Sequence, residues 1–195
     1  FIYREGDPTG GLYGLVDGAV GFEIAPYERG PNFAHVFRPG SWFGEMEILS
    51  RSARAYSLVA LRPSAFLHVP LRNLEAVMCT IPAGWRYLGA LCADHLGTTI
   101  GTVDDLMIRD TAQRVAAVIL RLADCRARDN VRERLLEIDA SQEDLAVMTN
   151  LGRAAITRCL ADLEAAGFIQ RGYRRLVVTD PSGLRQFLAP PLDMV

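Results

Sequence analysis

The sequence predicts an α+β chain: an N-terminal β-roll, one long helix, and a C-terminal pair of helices closed by a β-hairpin. Three observations predict it. Short apolar runs between glycine and proline breaks fill the first seventy residues. Small and apolar residues then recur in alternating steps of four and three from Gly89 to Met107. Finally, Ser141 to Val178 reads as helix, tight turn, helix, hairpin.

The 195 residues, 50% of them hydrophobic, are enough for one or two domains with real cores. The net charge of −2 does not announce nucleic acid as a partner, although a modular binder can carry a small basic face in an acidic chain. There is no lysine, and all 21 basic residues are arginine. Any phosphate or guanine contact therefore falls to the two-pronged guanidinium. Cys79, Cys92, Cys125 and Cys159 lie far apart without a metal-ligand spacing, which fits four reduced thiols in an intracellular, cytoplasmic protein. No apolar run reaches the roughly 18 residues of a spanning helix, so no membrane partner is expected. The chain opens at Phe1 in what reads as mid-strand, and an N-terminal segment is expected to be missing.

Along the first part, Gly6-Asp7-Pro8, Asp17-Gly18 and Pro39-Gly40 punctuate the apolar runs. Leu12–Val16 and Ala19–Ile24 flank Asp17-Gly18, which reads as a hairpin turn. Val59–Val69 is a second pair of runs, broken at Arg62-Pro63. Many short strands with regular breaks predict a β-roll or jelly roll over residues 1–80. Near Leu71 the period turns helical. Gly84 to Arg109 contains no proline, and Gly89, Ala93, Leu96, Ile100, Val103 and Met107 form an a/d seam. A seam with small residues at one end predicts pairing across a two-fold axis, with residues 81–109 as the dimerisation helix. A core helix packed within one subunit is the alternative. Asp110-Thr111 marks a break and a new N-cap. Thr111–Ala123 is then amphipathic, with Val115, Val118, Ile119 and Leu122 inward, and the charged stretch Asp124–Glu137 reads as a solvated loop or hairpin arm.

Residues 110–195 complete the chain as a winged helix-turn-helix. Ser141 is the expected N-cap of its first helix, with Asp144 three residues on as a weaker form of the capping box. Gln142–Met148 is that helix, Thr149–Gly152 the turn, and Arg153–Ala166 the second helix, stopped by Gly167. Ile156, Leu160 and Leu163 share its inner face. Arg153, Ala154, Thr157, Arg158 and Ala161 fan across the other. That is the layout of a helix seated in a DNA groove. Arg153 and Arg158 are candidates for base or phosphate contacts, with Thr157 beside them, while Ala154 offers only a methyl contact to thymine. Ser141 and Gln142, at the start of the first helix, complete this candidate face. The hairpin Phe168–Val178 carries Arg171, Arg174 and Arg175 near its tip, where a wing would meet backbone phosphate.

In this order the elements resemble the cyclic-AMP receptor protein (CRP/FNR) family of bacterial transcription regulators. The resemblance covers nearly the whole chain, apart from the first helix and strand of the family's sensor domain. Its most specific pieces are Gly44-Glu45-Met46 with Arg54 downstream, the run Ser141–Ala146, and R-x-x-I-x-R followed by L-E-x-x-G-F-I. It implies a cyclic-nucleotide-binding-like β-roll that holds an effector against the long helix. It also implies a homodimer that binds double-stranded DNA and meets RNA polymerase. In the family's cyclic-nucleotide binders the matching Glu takes the ribose hydroxyl and the matching Arg the cyclic phosphate. Gly44, Glu45 and Arg54 match that loop, and Thr99 matches a base-contacting Thr on the long helix.

Four positions depart from the pattern. Glu47 stands where a small residue belongs and would set a carboxylate near the phosphate. Ala55 removes a hydroxyl, Tyr56 adds bulk, and Ile100 replaces a Ser. These argue against cyclic AMP as the effector, and Glu45 and Arg54 can equally pair with each other. His35, His68 and His95 are the histidines open to a haem, without a supporting pattern, so the cofactor stays unassigned. In the reading helix, Ala154 and Gly152 replace a cytosine-reading Glu and a phosphate-binding Ser of the best-known members, so their target sequences do not transfer. The function expected is a sequence-specific, homodimeric, effector-responsive regulator, with a hinge near Arg109-Asp110, and not an enzyme. The alternatives are a ligand-independent regulator on a scaffold β-roll, or a cupin-like metalloenzyme. The latter would need clustered metal ligands, and His35 and His68 stand isolated.

Overall fold

The apolar alternation of the first seventy residues folds into two three-stranded antiparallel sheets. β1 (Gly11–Asp17) is central in one, between β4 (Trp42–Phe43) and β6 (Ala65–Pro70). β2 (Val20–Ile24) is central in the other, between β3 (Asn32–Phe37) and β5 (Ser57–Ala60). The computed structural model describes residues 1–24, 32–126, 136–173 and 175–188. The chain divides into two units, Phe1–Thr99 and Ile100–Val195.

The Asp17-Gly18 turn does not close a hairpin, against the sequence expectation. β1 and β2 belong to different sheets, and the turn carries the chain from one to the other. The polar groups a hairpin would pair are taken elsewhere. The Ala19 N–H donates to Ser64 Oγ (3.3 Å), and the Ala19 carbonyl accepts from the Leu61 N–H (2.9 Å). Gly18 has φ +107°, and a Cβ there would lie 2.0 Å from Ser64 Oγ, so only glycine fits this crossing. Arg62-Pro63 likewise separates two strands of different sheets.

The interior of the first unit is aromatic. Tyr3, Leu15, Val20, Phe37, Phe43, Tyr56 and Leu58 are buried together, with Phe22 and Phe66 packed against them. A second cluster joins β1 to three helices: α1 (Glu45–Ser50), α2 (Leu71–Thr80) and the start of α3 (Gly84–Met107). It consists of Leu12, Ile48, Leu74, Met78 and Leu88. Beyond it, α3 leaves its apolar seam uncovered: Leu96, Ile100, Val103 and Met107 are 55–76% exposed, and Gly89 and Ala93 lie open beside them. Among the described residues, no helix is long and apolar enough to cross a membrane.

The second unit is organised by α4 (Thr111–Leu122). Its N-cap Asp110 accepts from the Gln113 N–H (2.8 Å). Val115 through Leu120 are fully buried, because α5 (Gln142–Met148), α6 (Arg153–Ala165) and α7 (Pro181–Leu188) pack around α4. A helix covered on several sides needs apolar residues on several faces, which is why Ala116, Ala117 and Leu120 join the four positions expected inward. The last turns of α3 are tied to this unit by charge. Asp105 is fully buried and accepts from Arg121 Nε (2.8 Å), and Arg126 holds both Asp104 and Asp105. Burial brings the Arg121 guanidinium down to about 10, still cationic at neutral pH.

Of the charged stretch expected as a loop or arm, residues 127–135 lie outside the described residues. Its end is not solvated loop: Leu136–Ile138 form β7, which pairs with β9 (Arg175–Val178) in the register Leu136↔Val178 and Ile138↔Leu176. β9 also pairs with β8 (Ile169–Gly172), so the wing hairpin is anchored as part of a three-stranded sheet.

Candidate functional site

The helix pair that carries the reading face is set by its caps. Ser141 forms a full reciprocal capping box, stronger than the sequence suggested. Its hydroxyl accepts from the Asp144 N–H (3.1 Å), and Asp144 Oδ2 accepts from the Ser141 N–H (2.8 Å). The shorter Asp144 side chain is long enough to close the box. Thr149 buries its hydroxyl against the Leu145 carbonyl (2.6 Å), and Asn150 takes the left-handed conformation (φ 52°) that turns the chain into α6. Gly152 then caps α6 in extended conformation without a side-chain hydrogen bond, and nothing lies within 4 Å of where its Cβ would be.

α6 buries Ile156, Cys159, Leu160 and Leu163 and exposes Arg153, Ala154, Thr157 and Arg158. Two side-chain links join this exposed face to the first turn of α5. Arg153 Nη2 lies 3.3 Å from Glu143 Oε2, and the Thr157 hydroxyl donates to Gln142 Oε1 (3.2 Å). Arg158 is exposed and holds no ion pair among the described residues. Ser141 lies at the same end, but its hydroxyl is engaged in the capping box.

The wing arginines divide. Arg171 is clamped to α6: its Nε donates to Glu164 Oε2 (2.6 Å) and its backbone N–H to Glu164 Oε1 (2.8 Å). These hydrogen bonds hold the Glu164 carboxyl below the usual carboxylate range. Arg171, expected to meet backbone phosphate, thus also fastens the hairpin to the helix. Arg175 pairs with Glu137 of β7 (2.9 Å), while Arg174 lies outside the described residues. Tyr173, at the tip, is 94% exposed. A notch of about 520 Å³ opens among these parts, lined by Gln142, Glu143, Arg153, Arg171, Tyr173 and Arg175. The three glutamates were missed in the sequence. Glu143 and Arg153 stand ten residues apart across a turn, and no helical spacing relates them.

The other candidate site is the loop before and after α1. Gly44 has φ +97°, and a Cβ there would stand 2.8 Å from Arg54 Nη1, so the guanidinium passes directly over the backbone. Arg54 is buried. Its Nη1 donates to Glu47 Oε2 (2.9 Å) and the Gly44 carbonyl (3.0 Å), its Nη2 donates to the Gly11 carbonyl (2.7 Å), and its guanidinium lies 4.1 Å from the Tyr3 ring centroid. The Ala55 N–H donates to Glu47 Oε1 (3.2 Å). The Glu45–Arg54 pair, one of the two alternatives left open by the sequence, is therefore not formed. Residues two apart on a helix point about 200° apart, so Glu47 faces Arg54 while Glu45 faces α3. Glu45 Oε1 lies 2.7 Å from His95 Nδ1, and its other oxygen is buried without a hydrogen-bond partner among the described residues.

Tyr56 fills the neighbouring interior, its ring 4.4 Å from Phe22 and 5.8 Å from Tyr3. Burial raises both phenols well above their ordinary range, so they remain neutral. Thr99 turns its hydroxyl back to the His95 carbonyl (3.0 Å). The histidines named for haem are engaged. His68 stacks on Tyr13 at 4.4 Å, His35 meets Phe37 edge-on at 5.2 Å, and His95 holds Glu45. Among the described residues, no three His, Cys, Asp or Glu side chains converge as a metal site.

Two family models match the chain: a cyclic nucleotide-binding domain over residues 1–80 and a Crp-like helix-turn-helix domain over residues 113–187. The transcriptional regulator LdrP of Thermus thermophilus is 30% identical over 205 residues, covering 98% of this chain and 94% of that protein. A CRP-like cAMP-activated global transcriptional regulator of Mycobacterium tuberculosis is 23% identical over 183 residues, covering 94% of this chain and 82% of that protein. Among solved structures, FixK2 from Bradyrhizobium japonicum superposes with a TM-score of 0.78 at 21% identity, covering 97% of this chain and 93% of that one, which is a likeness of fold.

Proposed function

Because the chain belongs to the CRP/FNR family of transcription regulators, which are not enzymes, we propose that it acts as a homodimer on double-stranded DNA. The two α6 helices enter successive major grooves about 34 Å apart on a near-palindromic site. The observation that carries this is the split of α6: one side is sealed into the core, and the other presents Arg153, Thr157 and Arg158 to solvent. The dimer is supported by the uncovered seam of α3, where four large apolar side chains stand at heptad spacing. RNA polymerase is the further partner of such a regulator.

The test is Arg153→Ala against two duplexes, one of random sequence and one enriched by the wild-type protein from a randomised pool. Binding to the enriched duplex weakens by about 1–3 kcal/mol, the size of a bidentate guanine contact, and the random duplex is hardly affected. Equal loss on both duplexes would make Arg153 a backbone contact.

For the β-roll, the geometry supports a regulator that does not use cyclic AMP. The relative in Mycobacterium tuberculosis is cAMP-activated by name. In this chain, however, Glu47 occupies Arg54, the group that the resemblance assigns to a cyclic phosphate, and the Ala55 N–H beside it. A second reading, in which the roll is a scaffold with no ligand at all, is favoured by Tyr56 packed against Phe22 and Tyr3. A thermal-shift screen of cyclic nucleotides, haem and small acids separates the two, since a tight ligand raises the melting temperature by mass action. A shift with a non-nucleotide restores an effector, no shift with any compound supports the scaffold, and a shift with cyclic AMP sinks both.

A further inference from the structure

The arginines that line the notch are not bare. Arg153 is matched by Glu143, Arg171 by Glu164 and Arg175 by Glu137. Three cations facing the notch are thereby balanced by three carboxylates, in a chain whose net charge is −2. Glu164 and Glu137 fasten the wing. Glu143 differs from them, since it is 75% exposed, stands in the notch itself, and touches the arginine assigned to base reading. Its neighbour Gln142 makes the parallel link to Thr157. The first turn of α5 thus holds two reading side chains from outside the reading helix.

We infer that Glu143 is a specificity-determining residue. It positions Arg153, and it sets a negative charge where duplex phosphate must approach. On random DNA, Arg153 exchanges one anion for another and Glu143 is left facing the backbone, so the exchange gains little. On the right site, guanine O6 and N7 offer the guanidinium a neutral bidentate acceptor, and the carboxylate need not be displaced. Glu143 therefore suppresses non-specific binding more than specific binding. The inference takes the DNA-binding role proposed above as given.

Glu143→Gln, Glu143→Asp and the control Glu75→Gln, at an exposed position on α2 of the first unit, are compared with the wild-type full chain by fluorescence anisotropy. The probes are the random duplex and the duplex enriched by the wild type. Glu143→Gln is expected to bind the random duplex about 3- to 10-fold more tightly, with a salt slope steeper by about 0.9, as for one more neutralised phosphate. Its gain on the enriched duplex is less than about 2-fold, so the ratio of the two affinities falls. Glu143→Asp keeps the wild-type ratio. An unchanged affinity for random DNA, an equal loss on both probes, or the same gain from Glu75→Gln would each overturn the assignment. If the wild type enriches no sequence, the regulator reading fails, and the random-duplex arm still decides Glu143.

Discussion

The two halves of the chain use the same pair of groups in opposite settings. In the β-roll, Arg54 and Glu47 meet with side chains 1% and 0% exposed. On the reading face, Arg153 and Glu143 meet with side chains 74% and 75% exposed. The sealed pair cannot be traded for a ligand without stranding a charge in the interior, which costs several kcal/mol. The open pair is worth at most about 1 kcal/mol and exchanges freely with water or phosphate. The buried pair ties α1 to the Gly11 carbonyl of β1, while the exposed pair leaves its guanidinium open to solvent.

The contrast breaks most visibly if Glu47 is removed. Glu47→Ala should cost about 3–5 kcal/mol in chemical denaturation by leaving Arg54 buried and unpaired. Adding Arg54→Met should return part of the loss, because the stranded charge is gone while the Gly11 and Gly44 carbonyls lose their donor. An unchanged unfolding midpoint for Glu47→Ala would make the buried pair irrelevant. Next in size, Ile100→Asp with Val103→Asp places like charges along the uncovered seam. Light scattering should then report monomers at concentrations where the wild type is dimeric, with an unaltered circular dichroism spectrum, and a persisting dimer would refute the seam.

A smaller effect is expected at the open face. Arg158→Ala should weaken binding to any duplex to a similar degree and flatten the salt dependence by about 0.9, whereas a sequence-dependent loss would promote Arg158 to base reading. The smallest concerns the wing clamp. The folded Glu164 carboxyl is held below its ordinary value of about 4.5. Its contribution to stability is therefore complete above that pH and is lost as pH falls through the folded value. Glu164→Gln should flatten the acid limb of a stability-against-pH curve below about 4.5; an acid limb identical to the wild type's would leave Arg171 without a clamping role.

Much of the second unit was legible because its signals are local. Ile156, Leu160 and Leu163 fall on one face at helical spacing, and Ser141 with Asp144 marks a helix start whatever lies around it. The first unit was less so, since its pairings depend on distant residues. Asp17-Gly18 looks like a hairpin turn until Ser64 and Leu61 claim the backbone of Ala19. Whether Arg54 meets Glu45 or Glu47 depends on the roughly 200° between them on α1, a helix of six residues that the sequence did not announce. β7 was hidden for a similar reason: three residues carry too little alternation to be recognised without the strand they pair with.

The uncapped start of α6 has a consequence for how such a protein changes over time. Gly152 sits in an ordinary extended conformation with open space around it, so the fold accepts almost any side chain there. A serine or aspartate would cap the helix, gaining only a few tenths of a kcal/mol over glycine, and would add a hydroxyl or a charge beside Arg153. Because the scaffold is indifferent to that choice, the residue that opens the reading helix is free to drift. A lineage could retarget its regulator there one substitution at a time, without first having to restore its stability.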